Sequence, residues 1–307
     1  LRGESRYFSV PVIALVPRAV DQAYVEAFST GADDVVVRND HGALTRRVAA
    51  LSSFDPAKRH DPSRGTAVIA ENRGDRRRLL GRLLRRSGFD VAFAQSGTEL
   101  VSTITAIGDV RVLVLSEQLP PGGVMSVLHA ARTATGNEKL PAVVLATGAP
   151  GRLVEQSAEA TAVAIGSDLA PLDNLLFLAN EVTRTDFSEM RKSARLLYAT
   201  LCSFRKAGEM SLTHALVYNV SKDGLYVRTL DAPERGTKVW VELRPPRSTE
   251  AVHLRGTVMW ALAVGAPALP APPGFGLRLE PDECPPGDLA RYVGAYQELC
   301  ESPRLVG

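Results

Sequence analysis

Arg191 and Arg195 stand four residues apart in "RKSAR", and Asn219, Ser221 and Gly224 follow in "NVSKDG". On a helix or in an extended segment, a spacing of four leaves two side chains on broadly one side, so both guanidinium groups can converge on one ligand. A guanidinium meets phosphate as a cation, and its planar fork bonds O6 and N7 of guanine together. Asn219 and Ser221, two apart at a strand end, share a face and offer an amide and a hydroxyl to a base edge or a phosphate oxygen. Gly224 is expected at positive φ in the turn, where it lets backbone approach a ligand. This is chemistry for holding phosphates and purine edges, not for making or breaking bonds.

Catalytic alternatives find little support. No Ser/His/Asp set, nucleophile elbow, phosphate loop or pair of carboxylates in a plausible cleft is visible. Cys202, Cys284 and Cys300 lack metal-ligand spacing, and His41, His60, His129, His214 and His253 are scattered, so neither a metal nor a cofactor is expected. The odd cysteine count fits a reducing, cytoplasmic setting. A formal net charge of +2 gives no overall pull toward nucleic acid or an anionic membrane. No apolar run is long enough to span a bilayer. The first residue is Leu1, which suggests that sequence precedes it.

The elements that must position these residues follow from hydrophobic periodicity. Residues 1–52 read as β-α-β-α, with "VPVIALV" and "DDVVV" as short, buried parallel strands. Residues 53–65, with two prolines and several charges, read as a linker. In 66–187, five strands alternate with five helices, which predicts a doubly wound parallel sheet covered on both faces. From 188 to 283 helical periodicity gives way to six alternating strand-like runs, an antiparallel β-barrel. The proline-rich "GAPALPAPPG" would connect its last two strands. Residues 284–307 read as a terminal helix and tail, with Asp288 as its cap. Trp240 and Trp260 fall in strand runs and read as barrel core and sheet packing.

The arginine-rich stretch 73–86, "RGDRRRLLGRLLRR", divides into two faces. Leu79, Leu80, Leu83 and Leu84 form an apolar side, with Arg78, Arg82, Arg85 and Arg86 opposite. The reading is a solvated helix face, with a docking surface as the alternative. Nucleic acid is disfavoured because no aromatic residues interleave.

With "AQSGTEL" and "LPAVVLAT" in place, residues 66–187 resemble the receiver domains of two-component signalling. That family needs an acidic pair beside a phospho-accepting aspartate. Here the pair is Glu71 and Asn72, the acceptor position is Ser116, strand four ends in Ala146 or Thr147, and Ala170-Pro171 replaces a lysine-proline. The resemblance therefore implies a receiver fold that is not phosphorylated. Residues 1–52 resemble the second half of another receiver, with Arg38-Asn39 for lysine-proline.

"RKSAR" and "NVSKDG", followed by "GTKVWVEL", "LRGTVMW" and "GFGLRL", are similar to the PilZ domain family over residues 188–281. The resemblance implies a six-stranded barrel that binds cyclic di-GMP. Arg191 and Arg195 would hold guanine and phosphate, Asn219 and Ser221 would bond a guanine, and Gly224 would shape the turn. "SEM" stands before Arg191 where many members carry a further arginine, which implies weaker affinity or a monomeric ligand. The expected function is a non-enzymatic bacterial signalling effector that relays the ligand by changing domain arrangement or protein contacts. The receiver-like parts would meet protein partners, with self-association open. The competing expectation is an interaction scaffold whose barrel holds no nucleotide.

Overall fold

Short runs of β-branched residues, buried on both faces, build two parallel sheets in the first 183 residues. The structure is a computed structural model that describes residues 10–52, 54–55, 64–120, 122–148, 151–157, 160–184, 193–265 and 270–301. Arg191, Ser188 to Met190, positions 56–63 of the expected linker and positions 266–269 of the proline-rich connection lie outside the described residues. The chain opens with β1 (Ile13–Val16), α1 (Asp21–Ser29), β2 (Asp34–Val37) and α2 (His41–Ala50). β1 and β2 pair in parallel.

Next come β3 (Thr66–Ala70), α3 (Gly74–Arg86), β4 (Asp90–Ala94), α4 (Gly97–Ile107), β5 (Val110–Ser116) and α5 (Val124–Thr135). β6 (Ala142–Ala146), α6 (Gly151–Gln156), β7 (Val163–Ser167) and α7 (Asn174–Thr183) complete this part. The five parallel strands lie in the order β4-β3-β5-β6-β7, the flavodoxin-like doubly wound order. Leu100, Leu113 and Leu128 pack on one face, and Leu84, Val112 and Leu175 on the other. The two parallel sheets share a register. Ile13 faces Asp34 and Ala142 faces Val163, 21 residues apart in each case.

The remaining strands are β8 (Leu196–Lys206), β9 (Thr213–Ser221), β10 (Gly224–Arg228), β11 (Lys238–Leu243), β12 (Val252–Leu262) and β13 (Gly274–Leu279). They close into an antiparallel barrel in the order β10-β13-β12-β11-β8-β9. Val217, Leu225, Val241, Leu254 and Phe275 fill it, and α8 (Pro286–Glu301) packs Tyr292 and Tyr296 against that core. Asp288 is not the cap of α8, because the helix already begins at Pro286. Its carboxylate instead accepts the backbone N–H of His253 at 2.8 Å and ties the helix to β12.

The arginine face of α3 departs from the solvated expectation. Arg82 is buried, and Arg82 and Arg86 reach Asp33, at 3.4 and 2.7 Å. Arg78 and Arg85 remain exposed. The neighbouring acid, Asp34, is fully buried and accepts from Arg47 Nε at 2.8 Å and from the Leu230 backbone N–H at 2.7 Å. Asp33 thus faces the middle sheet's helix and Asp34 faces the barrel. The first segment is a wedge, held on one side by the pairs of Asp33 with Arg82 and Arg86 and on the other by the Leu230 N–H and the Arg46–Asp231 pair at 2.7 Å. Buried pairs of this kind lose much of their attraction to desolvation, but a misaligned alternative would strand bare charges, so they favour a single docking geometry.

Candidate functional site: a cleft on the outer face of the barrel

Two β-bulges decide which side chains face outward. The pairing of β9 with β10 slips between Tyr226 and Val227, leaving Tyr218 as the extra residue. The pairing of β12 with β13 slips between Val258 and Trp260, leaving Met259 extra. A one-residue slip turns the following side chain to the opposite face. Val258 accordingly sits in the barrel core, whereas Trp260 lies opposite Gly276 on the outside.

The outward residues then form two rows across neighbouring strands. Asn219, Tyr226, Gly276 and Trp260 make one, and Ser221, Gly224, Arg278 and Thr257 the other. The rings of Tyr226 and Trp260 close over Gly276 and stack with centroids 4.7 Å apart at 19°. A β-carbon on Gly276 would fall 2.4 Å from Trp260 Nε1, so the indole lies flat only because no side chain is there.

These rows border a cleft of about 380 Å³, within the size range of small-ligand sites. Of the residues expected to bind, Arg195, Asn219, Ser221 and Gly224 all line it. Asn219 is 8% exposed, and among the described residues its amide makes no side-chain hydrogen bond. The Ser221 hydroxyl donates to the Gly224 carbonyl at 3.2 Å, which closes the turn. Gly224 does not adopt the positive φ expected of it. Its requirement comes from the facing strand, since a β-carbon there would lie 2.3 Å from the Leu277 carbonyl oxygen.

α8 holds both motif segments. The Tyr292 hydroxyl donates to the carbonyls of Ser221 and Gly224, each at 2.9 Å. One helical turn later, the Tyr296 hydroxyl donates to the Ala194 carbonyl at 2.9 Å, next to Arg195. Burial pushes the Tyr296 phenol up to about 12, so it stays a donor throughout the neutral range.

Tyr226, Trp260, Asp223 and Arg278 also line the cleft and were not among the expected site residues. Neither tryptophan belongs to the barrel core. Trp260 packs on the outer face, and Trp240 lies cross-strand between Arg205 and Arg255, whose guanidinium carbons stand 4.0 and 5.3 Å from its ring centre. For Trp260 the misleading signal was the strict alternation of "LRGTVMW", which ignores the bulge at Met259.

At the C-terminal edge of the five-stranded sheet, Ser116 is buried, and its oxygen accepts from Gln118 N at 3.4 Å. The carboxylate of Glu71 is also buried, and Arg73 reaches it at 3.2 Å. The same Arg73 guanidinium nitrogen lies 3.2 Å from Asp168. Hydrogen bonding to Glu71 raises the Arg73 pKa further, so this cation is permanent. Among the described residues, no group of three or more His, Cys, Asp or Glu could hold a metal ion. No helix among them is long and apolar enough to cross a membrane.

Residues 189–295 match the family described as the PilZ domain, and this part of the chain is a PilZ domain. Such a domain implies an effector role in binding cyclic di-GMP, and proteins that carry it are typically non-enzymatic. Among solved structures, the chain is similar to the Bacillus subtilis inhibitor of motility (MotI/DgrA), with 15% identity and a TM-score of 0.30, covering 37% of this chain and 53% of that one. It spans about half the length of that relative. A response regulator receiver protein from Sinorhizobium medicae matches with 15% identity and a TM-score of 0.35, over 39% of this chain and 95% of that one. The PilZ domain of YcgR from Escherichia coli, solved with c-di-GMP, matches with 14% identity and a TM-score of 0.28, over 38% of this chain and 95% of that one. No curated protein sequence matches.

Proposed function

We propose that the chain is a non-enzymatic effector that binds cyclic di-GMP in the cleft beside β10 and passes its presence to a protein partner. The observation that carries this reading is the meeting of both motif segments in one cleft, with Arg195 from one and Asn219, Ser221 and Gly224 from the other. In this reading Arg191 and Arg195 supply positive charge and guanine-edge donors, and Asn219 and Ser221 pair with a base edge. Ligand contacts made in only one domain arrangement would shift the population toward it. The receiver-like part is a docking body in this account, not a phospho-acceptor. Arg73 supports that reading because it places a fixed guanidinium against Glu71, the one carboxylate left of the acidic pair that a metal ion would need.

Isothermal titration of cyclic di-GMP against the full chain and the Arg195→Ala and Arg191→Ala variants tests the proposal. Binding by the wild type and loss in both variants is the expected result. A silent wild type would favour the scaffold reading, and unchanged affinity in the variants would place the ligand elsewhere.

A further inference from the structure

The outward residues of β10 do three different jobs within about 13 Å, at roughly 3.3 Å per residue. Gly224 belongs to the ligand turn, Tyr226 forms the cleft floor, and Arg228 is buried in the junction with the α/β parts. The Arg228 guanidinium donates to the Ala32 carbonyl at 2.9 Å and lies 3.6 Å over the Phe28 ring. The floor itself is buttressed by the middle sheet. Tyr226 meets Tyr218, the bulge residue, edge to face at 5.8 Å, and Tyr218 meets Phe177 of α7 edge to face at 6.2 Å. The Tyr218 hydroxyl donates to the Asp173 carbonyl at 2.7 Å, just ahead of α7. On the far side of the floor, the Tyr226 hydroxyl donates to the Pro272 carbonyl at 2.6 Å, and the neighbouring Pro270 carbonyl accepts from Asn180 of α7 at 2.6 Å.

We propose that α7 of the receiver-like part positions the nucleotide cleft, with Phe177 acting as a positioning residue through Tyr218, Tyr226 and Trp260. This rests on the reading that the cleft holds the dinucleotide, and adds that the barrel shares control of its ligand with another domain. Phe177 packs both into the core of the middle sheet and against the Tyr218–Tyr226 cluster, so a shift of α7 moves the floor. Each contact in this series is an edge-to-face or stacked aromatic pair, the arrangements such rings prefer, which suits transmission of a small displacement. Coupling is reciprocal, so the ligand must steady α7 as much as α7 steadies the ligand site.

The test uses the full chain with Trp240→Phe, which leaves Trp260 as the sole tryptophan reporter. Phe177→Ala and Phe177→Tyr are placed in that background and studied where far-ultraviolet circular dichroism shows all three folded. With Phe177→Ala, the near-ultraviolet signal of the Trp260–Tyr226 stack should weaken, and cyclic di-GMP affinity should fall about tenfold, within the usual span of inter-site coupling. Phe177→Tyr, which keeps the ring, should restore both. An unchanged Trp260 signal in Phe177→Ala overturns the inference whatever the ligand does. So does a changed signal with unchanged affinity. If the Trp240→Phe parent and the wild type bind no dinucleotide, the proposed function fails, and the Trp260 signal alone decides whether α7 sets the cleft floor.

Discussion

Arg228 in the barrel and Asp173 before α7 stand 2.5 Å apart, both buried. Removing the acid leaves the buried guanidinium with the Ala32 carbonyl and the Phe28 ring but without its counter-charge, and breaking a buried pair in this way costs about 3–5 kcal/mol. Asp173→Ala should therefore lower the stability of the full chain by that order in chemical denaturation. A loss below about 1 kcal/mol, the scale of an exposed pair, would show that water reaches the junction.

Tyr296 gives a milder test of the site. Tyr296→Phe keeps the ring in place but releases the Ala194 carbonyl next to Arg195. The lost hydrogen bond should cost about 1 kcal/mol in stability. Cyclic di-GMP binding should weaken several-fold, with a melting temperature lower by only about 2–4 °C. Equal affinity in the two proteins would show that Arg195 needs no help from α8.

Two glycines on the outer face should respond differently to alanine. At Gly224 the added carbon meets backbone, the Leu277 carbonyl, so β10 and β13 must move apart. The expected result is destabilisation of about 1–3 kcal/mol or more. At Gly276 the added carbon meets a side chain, the Trp260 indole. Here the melting temperature should change less, and tryptophan fluorescence should change strongly. The reverse ranking would mean that the indole cannot move.

His214 should make the stability of the chain sensitive to pH. Burial lowers its pKa from the ordinary 6.5, and the nearby Arg47 adds to that against the pull of Asp40 and Glu242. The unfolded chain then binds the proton more readily than the folded one. Stability should fall as pH drops below about 6.5, down to the lowered folded value, and should be flat on this account above it. Denaturation midpoints of the wild type and His214→Gln between pH 5 and 8 check the sign. If the two curves run parallel, His214 is not responsible for the slope.

The edge of the five-stranded sheet offers a chemical test. With Arg73 bridging Glu71 and Asp168, and Ser116 at the acceptor position, acetyl phosphate plus magnesium should leave the chain mass unchanged. Magnesium with beryllofluoride should leave its melting temperature unchanged. A gain of one phosphoryl group in the chain mass would reverse the assignment.

The alternating strand and helix order was readable because each run carries its own period, and a doubly wound sheet buries its strands in continuous apolar stretches. The six barrel strands were readable for the same reason. Period-two counting failed where the strands are irregular. The extra residue Met259 turns Trp260, which alternation assigns to packing, to the outer face, where it stacks on Tyr226. Gly224 was recognised as necessary, but its cause lies in a strand more than fifty residues away. Arg82 read as a surface charge, and the ion pairs of Asp33, Asp34 and Arg228 went unread, because nothing local announces them. Only docking between separately folded parts puts the pairs of Asp33 and Arg228 together. The motif residues themselves stood out because their types suit one kind of ligand and their spacing survives folding.

Gly276 bears on how such a protein could change over generations. Because the indole rests where a side chain would be, a single codon change there would tilt the ring into the cavity while leaving the strand pairing intact. If the cleft holds the proposed ligand, responsiveness to it could then vanish in one step from a protein that still folds, converting a switch into a fixed body.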